Sequence, residues 1–193
     1  MNNFQIYFEI GFRHIANWGA LDHILFIVAL VLRYQFADWQ KLLVLITAFT
    51  IGHTITLALA IFNVVNFSRA WIEFLIPLTI AITAISNLFV KKYNFKQRFP
   101  AIYFFALFFG LVHGLGFSND LKMIIGNGSG VFVKLLAANI GIEVAQLMIV
   151  LLVLIIGAVC LSLLKFNRRE YILFTSGGIF GIALYIALAR IPF

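Results

Sequence analysis

Charged residues are scarce in this chain. Only 11% of its 193 residues are charged and 63% are hydrophobic, and the mean hydropathy is +1.06. Because soluble domains contain about 25% charged residues, this composition excludes an ordinary water-soluble protein and indicates an integral membrane protein in contact with membrane lipid. The net charge of +7 requires no nucleic acid partner, because Lys and Arg in the loops of membrane proteins set their orientation.

Cysteine and targeting signals are also lacking. The single cysteine, Cys160, excludes an intrachain disulfide. The N-terminus has neither a basic region before its first apolar stretch nor a small-residue cleavage site, so we expect no cleaved signal peptide.

Apolar runs of nearly spanning length recur along the whole chain. A membrane-spanning helix needs about 20 apolar residues. The runs lie at residues 20–36, 41–62, 70–90, 100–118, 134–162 and 171–190. We therefore expect an all-α integral membrane protein, with a single transmembrane domain over residues 1–193 that forms a bundle of about six helices.

A short helix is predicted before the first run. Its apolar residues recur at helical spacing: Phe4, Phe8, Phe12 and Ile15. Glu9 and Arg13 stand four residues apart and can form an ion pair. This pattern is typical of an amphipathic helix that lies at the membrane surface. On such a helix we expect His14 to face solvent rather than to bind a ligand.

The distribution of basic residues predicts the orientation. Of the fourteen Lys and Arg residues, most fall in the loops on one side of the six runs, the side that includes Lys91, Lys92, Arg168 and Arg169. The positive-inside rule makes that side cytoplasmic. Both termini are then expected to face outward from the cytoplasmic membrane of a bacterium.

Ionisable residues inside the apolar runs are the strongest indication of function. They are Asp22, His23, His53, His113 and Glu143. At about 1.5 Å per residue, these residues from four runs all fall in the outer half of the bilayer. Such residues usually mark an ion path, a proton relay or a metal site. Imidazole and carboxylate ligands suit nickel, cobalt, zinc or iron, and the lack of nearby Cys and Met disfavours copper(I).

Polar neighbours support a site at this depth. The candidates for a supporting role are His14, Thr50, Thr56, Asn139 and Gln146. The last two share a helix face with Glu143, and hydroxyls beside His53 can fix the tautomer of an imidazole. Simpler interpretations exist for single residues. His53 can be a hydrogen-bonded core residue, His113 can lie at the interface, and Asp22 can cap a helix.

Four motifs resemble those of the HupE/UreJ family of membrane proteins. They are Gly11–His14 leading to Asp22–Phe26, then Phe49–Leu57 around His53, Gly110–Phe117 around His113, and Asn139–Gln146 around Glu143. No single motif is decisive, but together they are specific. The resemblance implies a bundle of six helices or a similar number and a role in nickel or cobalt uptake. It assigns metal handling first to Asp22 and His23, and then to His53, His113 and Glu143.

Two hypotheses for the site stay open from the sequence. The first is a permease for a divalent transition-metal ion, with nickel or cobalt favoured and zinc or iron as alternatives. Its weak point is the inner half of the bilayer, where the sequence offers no comparable polar relay beyond Ser86 and Asn87, so that the exit path is unexplained. The second is an intramembrane zinc-dependent hydrolase acting on a lipid or lipoprotein, with Glu143 as general base. A metal sensor or accessory subunit is a third and simpler interpretation.

Overall fold

The protein is described by a computed structural model over residues 3–17, 21–89, 101–125 and 130–192. Seven α-helices make up most of this part of the chain. They are α1 (Asn3–Ala16), α2 (Leu21–Val31), α3 (Trp39–Ile61), α4 (Arg69–Phe89), α5 (Ile102–Ile125), α6 (Val131–Ala158) and α7 (Arg168–Ala189). A 3₁₀ turn at Phe36–Asp38 precedes α3, and a π-helical turn at Val159–Leu163 extends α6. The all-α membrane fold predicted from the sequence is confirmed.

Four helical segments of the described chain are long and apolar enough to cross a membrane. They are Phe36–Ile61, Arg69–Phe89, Val131–Leu163 and Arg168–Ala189. A further apolar stretch covers Ile102–Ser118 in α5. Between them, these segments account for the last five predicted runs, and they make the chain an integral membrane protein.

The first predicted run differs from the expectation. Only Leu21–Val31 is helical, and eleven residues span about 16 Å at 1.5 Å per residue, against a hydrocarbon core of about 30 Å. The chain turns directly after this helix, at Leu32 and Arg33. Residues of α1 and α2 reach spanning length and hydropathy only when taken together, as a pair of helices bent by 70° between Ala16 and Leu21.

Helix α1 packs along α6 and so belongs to the bundle, while its expected place at the membrane surface stays a prediction. The stripe that it buries consists of Tyr7, Gly11 and Ile15. A Cβ atom on Gly11 would collide with the carbonyl oxygen of Ala138, and one on Gly141 would collide with that of Phe8. Small residues that let two backbones touch are a common device of helix packing in membranes. These glycines bring α1 into the bundle beside a spanning helix.

Helices α3 and α5 pack in the same way. A Cβ atom on Gly52 would collide with the carbonyl oxygen of Leu107, and one on Gly110 would collide with that of Phe49. A Cβ atom on Gly114 would likewise collide with the carbonyl oxygen of His53. The α3 and α5 backbones therefore touch over at least two turns, beside His53 and His113.

Basic side chains join the helices at one end of the bundle, which we call the basic end. The guanidinium of Arg168 donates a hydrogen bond of 2.7 Å to the carbonyl oxygen of Arg33. That of Arg169 donates one of 2.6 Å to Leu88, in the last turn of α4. The last carbonyls of a helix have no partner within it, and Arg169 satisfies one of them while holding α7 beside α4.

Some predicted features lie outside the described residues. They are most of the loop predicted at Asn127–Gly130, the basic residues Lys91, Lys92, Lys96 and Arg98, and the terminal positions Ala20, Val90 and Pro100 of three predicted runs.

Candidate metal centre

Four histidines from four helices meet inside the bundle. Ring centroids lie 4.5 Å apart for His14 and His23, 6.2 Å apart for His14 and His53, and 5.5 Å apart for His23 and His113. Ring nitrogens of His14, His23 and His53 all lie within 4.8 Å of one another. Helices α1, α2, α3 and α5 thus each contribute one ring. We call these four residues the imidazole cluster.

The cluster nitrogens are buried and lack protein partners. Both ring nitrogens of His23 and of His53, together with Nε2 of His14 and Nδ1 of His113, have no hydrogen bond partner in the described chain. His53 is 0% exposed and His113 is 1% exposed. A buried polar group without a hydrogen bond is costly, so four converging rings in this state need an occupant. Imidazole nitrogens are common ligands of zinc, copper, iron and nickel.

Phenylalanine rings surround the cluster. Phe117 stacks on His14 with centroids 3.6 Å apart. Phe26 and Phe49 lie 5.0 Å and 5.3 Å from the ring of His113. Such walls restrict the rotamers of the imidazoles and exclude water, which strengthens any interaction with a bound cation.

Thr79 on α4 indicates the tautomer of His113. Its hydroxyl donates to the carbonyl oxygen of Ile76 at 2.7 Å, and its oxygen lies 3.1 Å from Nε2 of His113. A hydroxyl has only one proton; when that proton goes to Ile76, Nε2 of His113 must be the donor in its contact with Thr79. The free lone pair of His113 is then on Nδ1, the nitrogen without a partner. A hydroxyl that orients an imidazole in this way is typical of metal sites.

We predict that Thr79→Val weakens Ni²⁺ binding about 10- to 100-fold, the usual cost of losing a group that orients a metal ligand. Valine keeps the shape of the side chain but cannot accept the Nε2 proton of His113. Equilibrium dialysis of purified protein measures the effect, and Thr79→Ser, which retains the hydroxyl, is expected to restore affinity. Wild-type affinity in Thr79→Val would refute this role.

The structure corrects the expectation for His14. The sequence predicted that this residue faces solvent, but the contact of Gly11 with Ala138 and of Gly141 with Phe8 draws α1 against α6. His14 is therefore half-buried, with its ring stacked on Phe117 and its Nε2 buried. The sequence carried one signal of this packing, the glycines themselves, which permit close approach of helices in membranes. Thr79 was missed because nothing in the sequence pairs it with His113.

Several predicted site residues instead join α3 to α6. Three hydrogen bonds cross this α3–α6 seam: Thr47 donates to Glu143 at 2.9 Å, Thr50 to Gln146 at 2.8 Å and Thr54 to Asn139 at 2.8 Å. Thr56 donates to carbonyl oxygens of its own helix, those of Gly52 and His53. The described contacts of these residues therefore serve helix packing rather than an imidazole.

The two predicted carboxylate ligands have other contacts. Asp22 accepts a hydrogen bond of 3.3 Å from Arg190, which ties the first turn of α2 to the end of α7. Glu143 borders a groove of about 500 Å³ between α3 and α6, whose walls include the exposed Ile51 and Ile140. Neither belongs to the group of close ligand atoms formed by His14, His23 and His53 in the described chain. Metal ligation by Asp22 or Glu143 stays a prediction from the sequence.

A helical membrane bundle in which four imidazoles converge defines the class of protein: a polytopic membrane protein with an internal histidine cluster. The chain belongs to the HupE / UreJ protein family, whose sequence profile matches residues 1–190. This family is associated with nickel and cobalt transport. Neither the curated proteins nor the solved structures contain a significant match.

Proposed function

We propose that the protein is a membrane permease for a divalent transition-metal ion, with nickel or cobalt as the favoured substrate. The observation that carries the proposal is the imidazole cluster, in which six buried ring nitrogens lack hydrogen bond partners in the described chain. Residues 1–193 would form one transmembrane domain around it. Membership of a family associated with nickel and cobalt transport supports the same substrate.

The donor atoms narrow the choice of ion. Neutral imidazoles favour nickel, cobalt, zinc or iron over calcium and magnesium, which prefer oxygen ligands. The close ligand group of the described chain contains no thiolate, which disfavours copper(I). A neutral ligand set also leaves the charge of the ion uncompensated, which weakens binding and so favours release. Transport needs both steps, because an ion that binds too tightly cannot leave.

The hydrolase hypothesis receives less support. A metal-dependent hydrolase needs a general base within reach of the metal-bound water. The carboxylate of Glu143, which the sequence proposed as this base, accepts a hydrogen bond from Thr47 in the α3–α6 seam and lies outside the close ligand group. Imidazole is itself a common general base, so what loses support is the assignment of this role to Glu143.

The orientation that we propose follows from charge. Arg33, Arg168 and Arg169 lie at the basic end, which the positive-inside rule makes cytoplasmic. Asp22 and Arg190 then lie at the outer end, and both termini face outward from the cytoplasmic membrane. The ion would enter from the outer side and leave at the basic end.

Flux of Ni²⁺ through the purified protein in liposomes tests the proposal. A chelating dye trapped inside the vesicles reports uptake, with Co²⁺, Zn²⁺ and Mg²⁺ compared in parallel. We expect uptake of Ni²⁺ or Co²⁺ by the wild type, little uptake of Mg²⁺, and no uptake by His53→Ala. Protein that binds Ni²⁺ but carries no ion into the vesicles would contradict a permease and favour a sensor or an accessory subunit.

A further inference from the structure

Polar residues on α4 form a line that leads away from the imidazole cluster. They are Thr79, Thr83, Ser86 and Asn87, at positions i, i+4, i+7 and i+8 of one helix face. Thr79 is 4% exposed, Thr83 is 5% exposed and Asn87 is 0% exposed. From Thr79 to Asn87 the helix rises about 12 Å. We call this line the α4 polar stripe.

The hydroxyl protons of the stripe are donated to the helix itself. Thr79 donates to Ile76 at 2.7 Å, Thr83 to Thr79 at 2.8 Å and Ser86 to Thr83 at 2.7 Å, each time to a backbone carbonyl oxygen. Because each hydroxyl has a single proton, the hydroxyl oxygens present only lone pairs to the bundle interior. Lone pairs attract a cation or a donor and repel an anion.

Asn87 adds an oxygen that has no partner. Its amide nitrogen donates a hydrogen bond of 2.8 Å to the carbonyl oxygen of Ala29 on α2. That contact sets the orientation of the amide, because the flipped group would place two acceptor oxygens against each other. The amide oxygen is buried without a hydrogen bond partner in the described chain. A buried acceptor in this state is costly, and a passing cation or its bound water would satisfy it.

Both ends of the stripe meet features that suit a path. At one end the oxygen of Thr79 contacts Nε2 of His113. At the other end Thr83 and Ser86 line a cavity of about 290 Å³, together with Arg33 and five apolar residues that include the exposed Ile82 and Phe105. The stripe therefore connects the imidazole cluster with a cavity near the basic end. The hydroxyls of Thr50 and Thr54 also contact carbonyl oxygens of their own helix. They differ from the stripe because each of them, like Thr47, also lies within hydrogen-bond distance of a polar side chain of α6.

We propose that the ion leaves the imidazole cluster along the α4 polar stripe, over the oxygens of Thr79, Thr83, Ser86 and Asn87, and is released through the cavity beside Arg33. This inference rests on the proposed function and supplies the inner route that the sequence lacked. Oxygen ligands bind nickel and cobalt more weakly than imidazoles do. The ion is therefore not retained on the stripe and moves along it toward the cavity. The positive charge of Arg33 disfavours a cation that rests in the cavity, which makes the cavity a place of release.

Two matched double variants test the route. Thr83→Val with Ser86→Ala removes two stripe oxygens, and Thr54→Val with Ser118→Ala removes the same two groups elsewhere. Ser118 also donates to its own helix and is 5% exposed, so its bonding resembles that of Ser86. For each variant we measure Ni²⁺ flux in liposomes and Ni²⁺ affinity by equilibrium dialysis. We expect the stripe variant to lose about tenfold or more in flux, a barrier increase of about 1.4 kcal/mol, with unchanged affinity.

The remaining outcomes separate the inference from the proposed function. The control variant is expected to keep wild-type flux, and Thr83→Ser is expected to do the same because it retains the oxygen. Equal flux in the stripe and control variants would overturn the route while leaving the permease intact. Loss of affinity in the stripe variant would also overturn it, because the stripe would then act on the binding site. Binding without flux in the wild type would overturn the permease, and the route with it.

Discussion

Replacement of His53 by alanine is expected to lower the affinity of the purified protein for Ni²⁺ by at least about 100-fold, more than the loss of an orienting neighbour costs. His53 is 0% exposed, and its ring nitrogens lie within the close ligand group without protein partners. Because a buried neutral site has few other donors, no water or side chain replaces the lost imidazole. Equilibrium dialysis measures the affinity. In a thermal unfolding assay, Ni²⁺ is expected to stabilise the wild type, since a ligand that binds only the folded state raises its stability.

Leu57→Ala is the matched control for this variant. Leu57 lies one turn further along α3 and is also 0% exposed. Its truncation leaves a cavity that costs about 2–5 kcal/mol of stability but removes no imidazole, so we expect Ni²⁺ binding to survive. Wild-type affinity for Ni²⁺ in His53→Ala would show that the histidines of the cluster are ordinary core residues that do not bind the ion.

The role of Glu143 is resolved by the same assay. If its carboxylate binds the ion, as the sequence predicted, Glu143→Gln should lose affinity as His53→Ala does. If the contact with Thr47 is its role, affinity should be kept, because glutamine can accept the same hydrogen bond. The geometry favours the second result.

Gly52→Ala is expected to destabilise the bundle by about 1–3 kcal/mol or more, the range for overpacking a dense interior. A Cβ atom at this position would collide with the carbonyl oxygen of Leu107 and would lie 3.0 Å from the amide nitrogen of Leu111. Backbone atoms of α5 cannot rotate away as a side chain can, so α3 and α5 must separate. Because these helices carry His53 and His113, the separation also opens the cluster. Thermal unfolding in detergent is expected to show a lower Tm, and Ni²⁺ binding to weaken.

Gly178→Ala on α7 is the control for that substitution. A Cβ atom at Gly178 would meet no other atom within 4 Å. Alanine in place of glycine within a helix then gains about 0.5–1 kcal/mol from backbone entropy, so an unchanged or higher Tm is expected. Equal Tm values for the Gly52 and Gly178 variants would contradict the close packing of α3 against α5.

The sequence predicted the helical class, which follows from hydropathy, and the rise per residue gave each site residue an expected depth. Depth is only one coordinate. Which way a helix face turns depends on packing, and Glu143, which the sequence placed in the same outer half as His53, contacts Thr47. The same limit applies to His14, which enters the cluster because Gly11 and Gly141 allow α1 to touch α6.

The length of α2 illustrates a second limit. The apolar run over residues 20–36 has the hydropathy of a spanning helix, but the helix ends at Val31. An average of hydropathy over the run does not register the turn at Leu32 and Arg33. Thr79 and the stripe below it were not found because threonine within an apolar run is unremarkable until its neighbours are known. Its contact with His113 is a tertiary fact.

X-ray absorption spectroscopy of the Ni²⁺-loaded protein tests the central claim most directly. The imidazole cluster predicts a first shell rich in nitrogen, with the outer-shell scattering of several imidazole rings, and a clear loss of that scattering in His53→Ala. A first shell of oxygen atoms without imidazole scattering would place the ion elsewhere and contradict the account.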